Sequence, residues 1–358
     1  MNIADLDTPA LLVDLDVMHA NIARVAKTCR TAGVAWRPHI KGQKTPEIVR
    51  KEIAAGAIGA TCAKLGEAEI MAEAGITDLL IANQIVGAPK IARLIALLDH
   101  ADVKVAVDSA TNADALGAAA TKAGKTLGVL IEVNTGMNRA GTEPGEASVA
   151  LARHIEATPG LALRGVMGWE AHTVTIADLA EKAVAVAAAI ARLVTTANEI
   201  RAAGIACDIV SCGGTGSYPY YAEQPGVTEI QAGGLIFSDE LYRTRFGLAF
   251  PQALTLLATV TSRPTDTRII LDAGKKAMSS DAAPPRALGL VATKPVALSA
   301  EHTTVILDEP NATPAVGDKV QFVVGYSDTT VHLHERIHAI RNGRVEASWA
   351  VQARGRIA

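Results

Sequence analysis

The chain has 358 residues, 49% of them hydrophobic and 20% charged, with a formal net charge of -3. That composition supplies a sizeable core, excludes a disordered chain, and suits one large domain with a smaller one. With no basic face and no acidic tail it excludes a nucleic-acid partner, so a small molecule is expected instead. Cys29, Cys62, Cys207 and Cys212 have neither CxxC nor zinc-ribbon spacing and are expected as reduced core residues. The N-terminus, with Asp5 and Asp7, lacks the apolar segment of a secretory signal. No apolar run reaches the roughly 18 residues of a membrane span, so a cytoplasmic protein with no membrane partner is expected.

In chain order, residues 8–14 read as a strand and residues 15–32 carry apolar positions at helical spacing, among them Val17, Ile22, Val25 and Ala26. A strand over residues 34–40 follows, and Thr45-Pro46 supplies an N-cap and first helical residue. Strands are then expected at 57–62, 79–82, 103–107, 127–133, 161–167, 207–211 and 228–232. Helices at 66–74, 88–98, from Asn112, 147–155 and 176–203 lie between them. Counted from Val34 these are eight βα units in about 200 residues, the rhythm of a closed (β/α)8 TIM-like barrel, with a doubly wound open sheet as the alternative.

Beyond about Phe250 the pattern becomes β-rich. Runs at 254–261, 268–272, 303–307, 319–324, 336–341 and 344–351 are separated by Pro, Gly, Asn and Asp turns, and Asn342-Gly343 marks a hairpin. The expected division is a barrel over residues 15–248 and an antiparallel β-domain formed by residues 249–358, joined by residues 1–14.

Four stretches carry chemistry. In Trp36-Arg37-Pro38-His39-Ile40-Lys41-Gly42-Gln43-Lys44, Lys41 falls at the carboxyl end of a strand, where an inward lysine can serve as a nucleophile; a solvated loop pair, Lys41 and Lys44, is the plainer alternative. Ser211-Cys212-Gly213-Gly214-Thr215-Gly216-Ser217 and Gly233-Gly234 end neighbouring strands, and two such glycine-rich ends favour a phosphate over simple tight turns. Neither matches a Walker A loop or the dinucleotide fingerprint. Arg139, after Glu132-Val133-Asn134-Thr135-Gly136-Met137-Asn138, could bind an anionic oxygen or form a surface ion pair. Trp169-Glu170-Ala171-His172 places an aromatic and an imidazole where they could orient a ring. A lysine, a phosphate cup, an arginine and aromatic groups on one rim point to pyridoxal 5'-phosphate.

Arg37-Pro38-His39-Ile40-Lys41 resembles the RPHxK signature of the D-threonine aldolase and D-serine dehydratase-like family, the fold type III pyridoxal phosphate enzymes of the alanine racemase N-terminal-domain superfamily. The resemblance runs nearly end to end, through Asp7-Thr8-Pro9-Ala10, Gly66-Glu67-Ala68-Glu69, Glu132 to Arg139, Gly213-Gly214-Thr215-Gly216, Thr228-Glu229, Asp272-Ala273-Gly274-Lys275-Lys276, Glu301-His302 and Trp349 through Arg356. It implies that Lys41 joins the cofactor aldehyde as a Schiff base, that Arg139 reaches its phenolic oxygen, and that Gly213, Gly214, Thr215, Gly233 and Gly234 hold its phosphate, with Trp169 also against the cofactor. It further implies a homodimer acting on a D-β-hydroxy-α-amino acid by retro-aldol or aldol chemistry. A dehydratase or racemase working by Cα deprotonation is the second reading, and a non-catalytic pyridoxal phosphate-binding protein the third.

The chain departs from the family at its metal site. Where members carry His-x-Asp or His-x-Cys for a divalent ion (Mn, Mg or Zn), it has Tyr326-Ser327-Asp328. Asp328 alone is a weak site, so altered or absent metal dependence is expected, with His172, Tyr326 or Asp328 handling protons. His332 and His334, two apart on an expected strand, would share a face and could replace the ligand, though ordinary histidines are the plainer expectation. Gln43, Trp169 and Gly234-Leu235 also differ from the family's usual His, Tyr and Ser-Tyr, which implies a remodelled substrate pocket.

Overall fold

The short apolar runs and the helices between them form the expected alternation. In the computed structural model, which describes residues 1–221 and 224–358, these are β1 (Ala10–Asp14), α1 (Leu15–Ala32), β2 (Ala35–Trp36), α2 (Pro46–Ala54), β3 (Ala60–Cys62), α3 (Leu65–Glu73), β4 (Asp78–Gln84) and α4 (Ala88–Leu97). They continue with β5 (Asp102–Val107), α5 (Ala110–Lys122), β6 (Leu127–Glu132), α6 (Glu146–Glu156), β7 (Leu161–Gly168), α7 (Leu179–Ala202), β8 (Ile209–Cys212), α8 (Tyr218–Tyr221), β9 (Glu229–Ile230) and α9 (Glu240–Thr244). The middle strands are apolar on both faces, as in β5 (Val103, Val105, Ala106, Val107) and β6 (Leu127, Val129, Leu130, Ile131), all buried. That pattern belongs to a parallel sheet covered by helices.

Strands pair in parallel in the order β2-β9-β8-β7-β6-β5-β4-β3. Bridges from Trp36 to Ala57 and from His39 to Thr61 then join the two ends, with Ile58 N–H donating to the Trp36 carbonyl at 2.8 Å. The ring is therefore closed, and the open doubly wound sheet is excluded. The strand expected over 34–40 is shorter, because after Trp36 only His39 keeps ladder geometry and the chain turns at Lys41.

Arg37, 2% exposed, fastens this closure. Its Nε donates to both carboxylate oxygens of Glu229 on β9 (3.1 and 3.2 Å) and its Nη1 to Asp78 Oδ1 on β4 (2.7 Å). Lys104 Nζ also donates to Asp78 Oδ1, at 2.7 Å. The arginine four residues before the candidate lysine thus holds the barrel together.

The helix α7, long and apolar enough by length and composition to cross a bilayer, departs from the expectation that no run would be. Its stripe of Val186, Ala189, Ile190, Leu193, Ala197 and Ile200 is buried, and it packs on β7, β8 and α6 as a core helix does. All four cysteines are free and buried.

The second sheet comprises β1 with β10 (Leu254–Thr265), β11 (Arg268–Leu271), β12 (Arg286–Ala287), β13 (Ala297–Leu298), β14 (Thr303–Ile306), β15 (Lys319–Val323), β16 (Arg336–Arg341) and β17 (Arg344–Ala350). Its pairs are antiparallel except β1 with β16, which run parallel. Asn342 and Gly343, at φ 48° and 71°, make the left-handed turn that joins β16 to β17. The chain divides into two compact units, one of residues 1–23, 42–45 and 234–354, the other of residues 24–41, 46–233 and 355–358. Residues 15–23 and 234–248, expected with the barrel, group with the sheet.

Candidate cofactor and active site

In the barrel unit, the residues after β2, β6 and β7 converge on one indole. Lys41 Nζ lies 5.0 Å from the centroid of the Trp169 ring, and the Arg139 guanidinium carbon lies 5.4 Å from it. Arg139 reaches back towards Glu132 Oε1 at 3.6 Å, and Gln84 Nε2 donates to Glu132 Oε2 at 2.6 Å. The lysine, the arginine and the tryptophan singled out in the sequence are therefore brought together.

The glycine-rich ends are shaped by their neighbours. Gly213 has φ +87°, and a Cβ there would run into the Tyr221 ring; a Cβ on Gly214 would sit 2.8 Å from Trp169 Nε1. A Cβ on Gly233 would meet the His39 carbonyl, and one on Gly234 the Tyr242 hydroxyl. Any side chain here would push these groups apart, so glycine is required for packing as well as for open backbone N–H groups. Thr215 is buried beside them.

One observation tests whether pyridoxal phosphate fits. Trp169 Nε1 is buried and has no hydrogen-bond partner among the described residues. A buried donor left unpaired costs about 1–3 kcal/mol, so a site of this kind awaits an acceptor. An indole N–H beside two bare glycines, with a lysine and an arginine over its ring, suits an aromatic anion that can also join an amine. Pyridoxal phosphate is such a group.

His172 lies on the same rim, its ring about 3.0 Å from where a Gly136 Cβ would be. Desolvation, then the Arg192 charge, holds its imidazole below the usual value, so it is neutral near pH 7. Sequence reasoning missed Glu170, two residues before it in the chain. Glu170 is 1% exposed and accepts from Ser217 Oγ at 2.7 Å; nothing in the sequence distinguishes it from a loop carboxylate.

In the other unit, the Tyr326 hydroxyl donates to Asp328 Oδ2 at 2.8 Å. Asp328 Oδ1 lies 2.6 Å from where a Cβ of Gly42 would be, so the carboxylate rests on the backbone of the residue that follows Lys41 in the chain. Burial, then the Asp328 charge, pushes the Tyr326 phenol far above its ordinary value. Ser327 donates through N (2.8 Å) and Oγ (2.9 Å) to Asp239 Oδ2, and the Tyr242 ring meets Tyr326 edge-on at 6.1 Å.

A divalent ion does not fit this donor set. The phenol stays protonated and already binds one carboxylate oxygen, and no group of three His, Cys, Asp or Glu that could hold a metal occurs among the described residues. The expected strand carrying His332 and His334 is instead a 3-10 turn over Val331–Leu333, because Thr330 and Val331 N–H groups fold back onto the Ser327 carbonyl (3.1 and 3.0 Å). His334 Nε2 is bonded to the Ala277 carbonyl at 2.6 Å and His332 Nδ1 to the Asp328 carbonyl at 3.3 Å, and neither belongs to a metal-holding group of three such residues among the described residues.

A parallel barrel with a lysine, an arginine and a glycine cup at one indole, and a separate β-sheet unit, defines a pyridoxal phosphate enzyme of the alanine racemase type. The alanine racemase N-terminal domain model matches residues 13–240, and a serine dehydratase-type domain model matches residues 253–340. D-threonine aldolase of Arthrobacter sp is 36% identical over 362 residues, covering 99% of this chain and 94% of the relative. The 3-hydroxy-D-aspartate aldolase of Paracoccus denitrificans (strain Pd 1222) is 33% identical over 367 residues, covering 99% and 94%. The crystal structure of D-threonine aldolase from Filomicrobium marinum superposes with a TM-score of 0.95 at 32% identity, covering 99% of this chain and 98% of that one. The chain belongs to the D-threonine aldolase and D-serine dehydratase-like family of pyridoxal phosphate lyases.

Proposed function

We propose that the protein is a D-threonine aldolase-like lyase that cleaves the Cα–Cβ bond of D-β-hydroxy-α-amino acids to glycine and an aldehyde. The observation that carries this reading is the convergence of Lys41 and Arg139 on Trp169, whose buried Nε1 has no partner among the described residues, beside Gly213 and Gly214. When bound, pyridoxal phosphate supplies a conjugated ring that takes up the electron pair of the broken bond.

Lys41 holds the cofactor aldehyde through its amine. Gly213, Gly214, Thr215, Gly233 and Gly234 hold the phosphate through backbone N–H groups, and Trp169 Nε1 donates to an anionic oxygen. Arg139, kept in place by Glu132, reaches the phenolic oxygen and stays charged there. Retro-aldol cleavage requires removal of the β-hydroxyl proton. Asp328, its carboxylate oriented by the Tyr326 phenol and seated on Gly42, accepts that proton at a carboxylate oxygen. His172, neutral at pH 7, orients the departing carbonyl group. No step is assigned to a divalent ion. The protein acts in the cytoplasm, in keeping with four free buried thiols, and as a homodimer.

The test pairs absorption spectroscopy with product analysis. Purified protein should show the visible absorption of lysine-bound pyridoxal phosphate, Lys41→Ala should lose it, and D-threonine should give glycine and acetaldehyde. Release of 2-oxobutanoate and ammonia would assign a dehydratase, and loss of the Cα hydrogen to deuterated buffer without cleavage a racemase.

A further inference from the structure

Glu170 follows Trp169 directly in the chain and is 1% exposed. Ser217 Oγ is 2.7 Å from Glu170 Oε1 and 2.5 Å from the Tyr221 hydroxyl. Ser217 has one hydroxyl proton to give. While it goes to a Glu170 carboxylate, Tyr221 donates to Ser217; once Glu170 carries a proton, the whole line can reverse. The line is tied to the glycine cup at its middle and at one end, because Ser217 N–H donates to the Gly214 carbonyl at 3.3 Å and the Tyr221 ring fills the space beside Gly213.

Glu170 makes no ion pair among the described residues. Burial, then the charges of Glu170 and Glu229, pushes the thiol of Cys212 on β8 well up, so it stays neutral. Glu229, on β9, is itself paired with Arg37. Tyr221 and Ser217 face Glu170 from α8 and its approach, and His172 on the same loop is held below its usual value. A buried carboxylate with hydroxyl donors and no cation is poised to take up a proton when another negative charge arrives.

We propose that Glu170 is a positioning residue that stores a proton behind the glycine cup, taking it from solvent when a doubly charged phosphate seats there, while Ser217 and Tyr221 reverse their hydrogen bonds. One O–H bond forms at Glu170 and nothing is oxidised or reduced. Burial raises the carboxyl from its usual range to about 7, so both forms are populated near neutrality in the cofactor-free protein. The inference rests on the proposed cofactor reading.

The test titrates cofactor-free protein with pyridoxamine 5'-phosphate, which has the phosphate but no aldehyde to join Lys41. Calorimetry at pH 7.5 in two buffers of different ionisation heat counts protons, and pyridoxamine lacking the phosphate is the control. A carboxyl near 7 is about three-quarters ionised at pH 7.5, so the wild type should take up roughly 0.7 proton more than Glu170→Gln, and the difference should vanish near pH 6. Ser217→Ala removes the hydroxyl that favours the carboxylate, leaves Glu170 already protonated, and should lose the uptake in the same way. A merely structural Glu170 would leave the proton count unchanged. Equal uptake by the wild type and Glu170→Gln overturns the inference alone, whereas failure of the wild type to bind pyridoxamine 5'-phosphate overturns it together with the cofactor reading.

Discussion

The phenol of Tyr326 orients Asp328 by a hydrogen bond to a charged acceptor, an interaction worth about 1.5–3 kcal/mol. Tyr326→Phe should therefore lower kcat on D-threonine roughly 10- to 100-fold in steady-state assays, with a smaller change in KM. Tyr326→His restores an imidazole two residues before Asp328. It should create Mn2+ binding visible by electron paramagnetic resonance, where the wild type shows none. Glu170 makes a different prediction. Its carboxyl is raised by burial, so the folded state binds more protons than the unfolded chain between about pH 4.5 and pH 7. Stability of the cofactor-free protein should fall as pH rises through that window, by roughly 3 kcal/mol, and stay low above it. Glu170→Gln, neutral throughout, should melt higher than the wild type at pH 8 and nearly with it at pH 5. At this scale the sequence pointed to Lys41, Arg139 and Trp169, which the structure brings together, because each follows an expected strand. It did not carry Glu170 or the Tyr326 to Asp328 bond, which depend on the direction of a side chain in three dimensions.

Among the elements, β2 and β9 are the thinnest parts of the barrel, each with two residues in regular pairing, and Arg37 compensates by bonding to β9 and β4. Removing it strands the buried Glu229 without a counter-ion, and breaking a buried pair from one side typically costs about 3–5 kcal/mol. Arg37→Leu should lose stability on that scale in denaturant titrations. Asp78 belongs to the same network; despite partial desolvation, the Arg37 and Lys104 contacts hold its carboxyl below the usual value. Its contribution is therefore present above the unfolded value and lost as pH falls through the lower folded one. Most elements were legible from apolar spacing and turn residues: the Asn342-Gly343 hairpin, the Pro46 helix start, and the eight strands in order. The strand expected around His332 was not, since Ser327 and Thr330 turn the backbone through local hydrogen bonds that periodicity does not register.

For the whole molecule, the four buried thiols should be inert to a thiol reagent in the native state and react as four after denaturation. Light scattering in solution should give twice the chain mass of 37.1 kDa. The closed barrel and the added sheet could be expected from rhythm and texture, but the division of the chain could not, because local pattern says nothing about which segments pack together. The polypeptide passes from one compact unit to the other five times, at 23/24, 41/42, 45/46, 233/234 and 354/355. Recombination with a relative at one crossover therefore cannot exchange a whole unit. The second passage falls directly after Lys41, so grafting a foreign barrel would import the lysine and leave its next four neighbours native. Chimaeras meant to retune substrate preference should treat residues 42–45 as a cassette of their own.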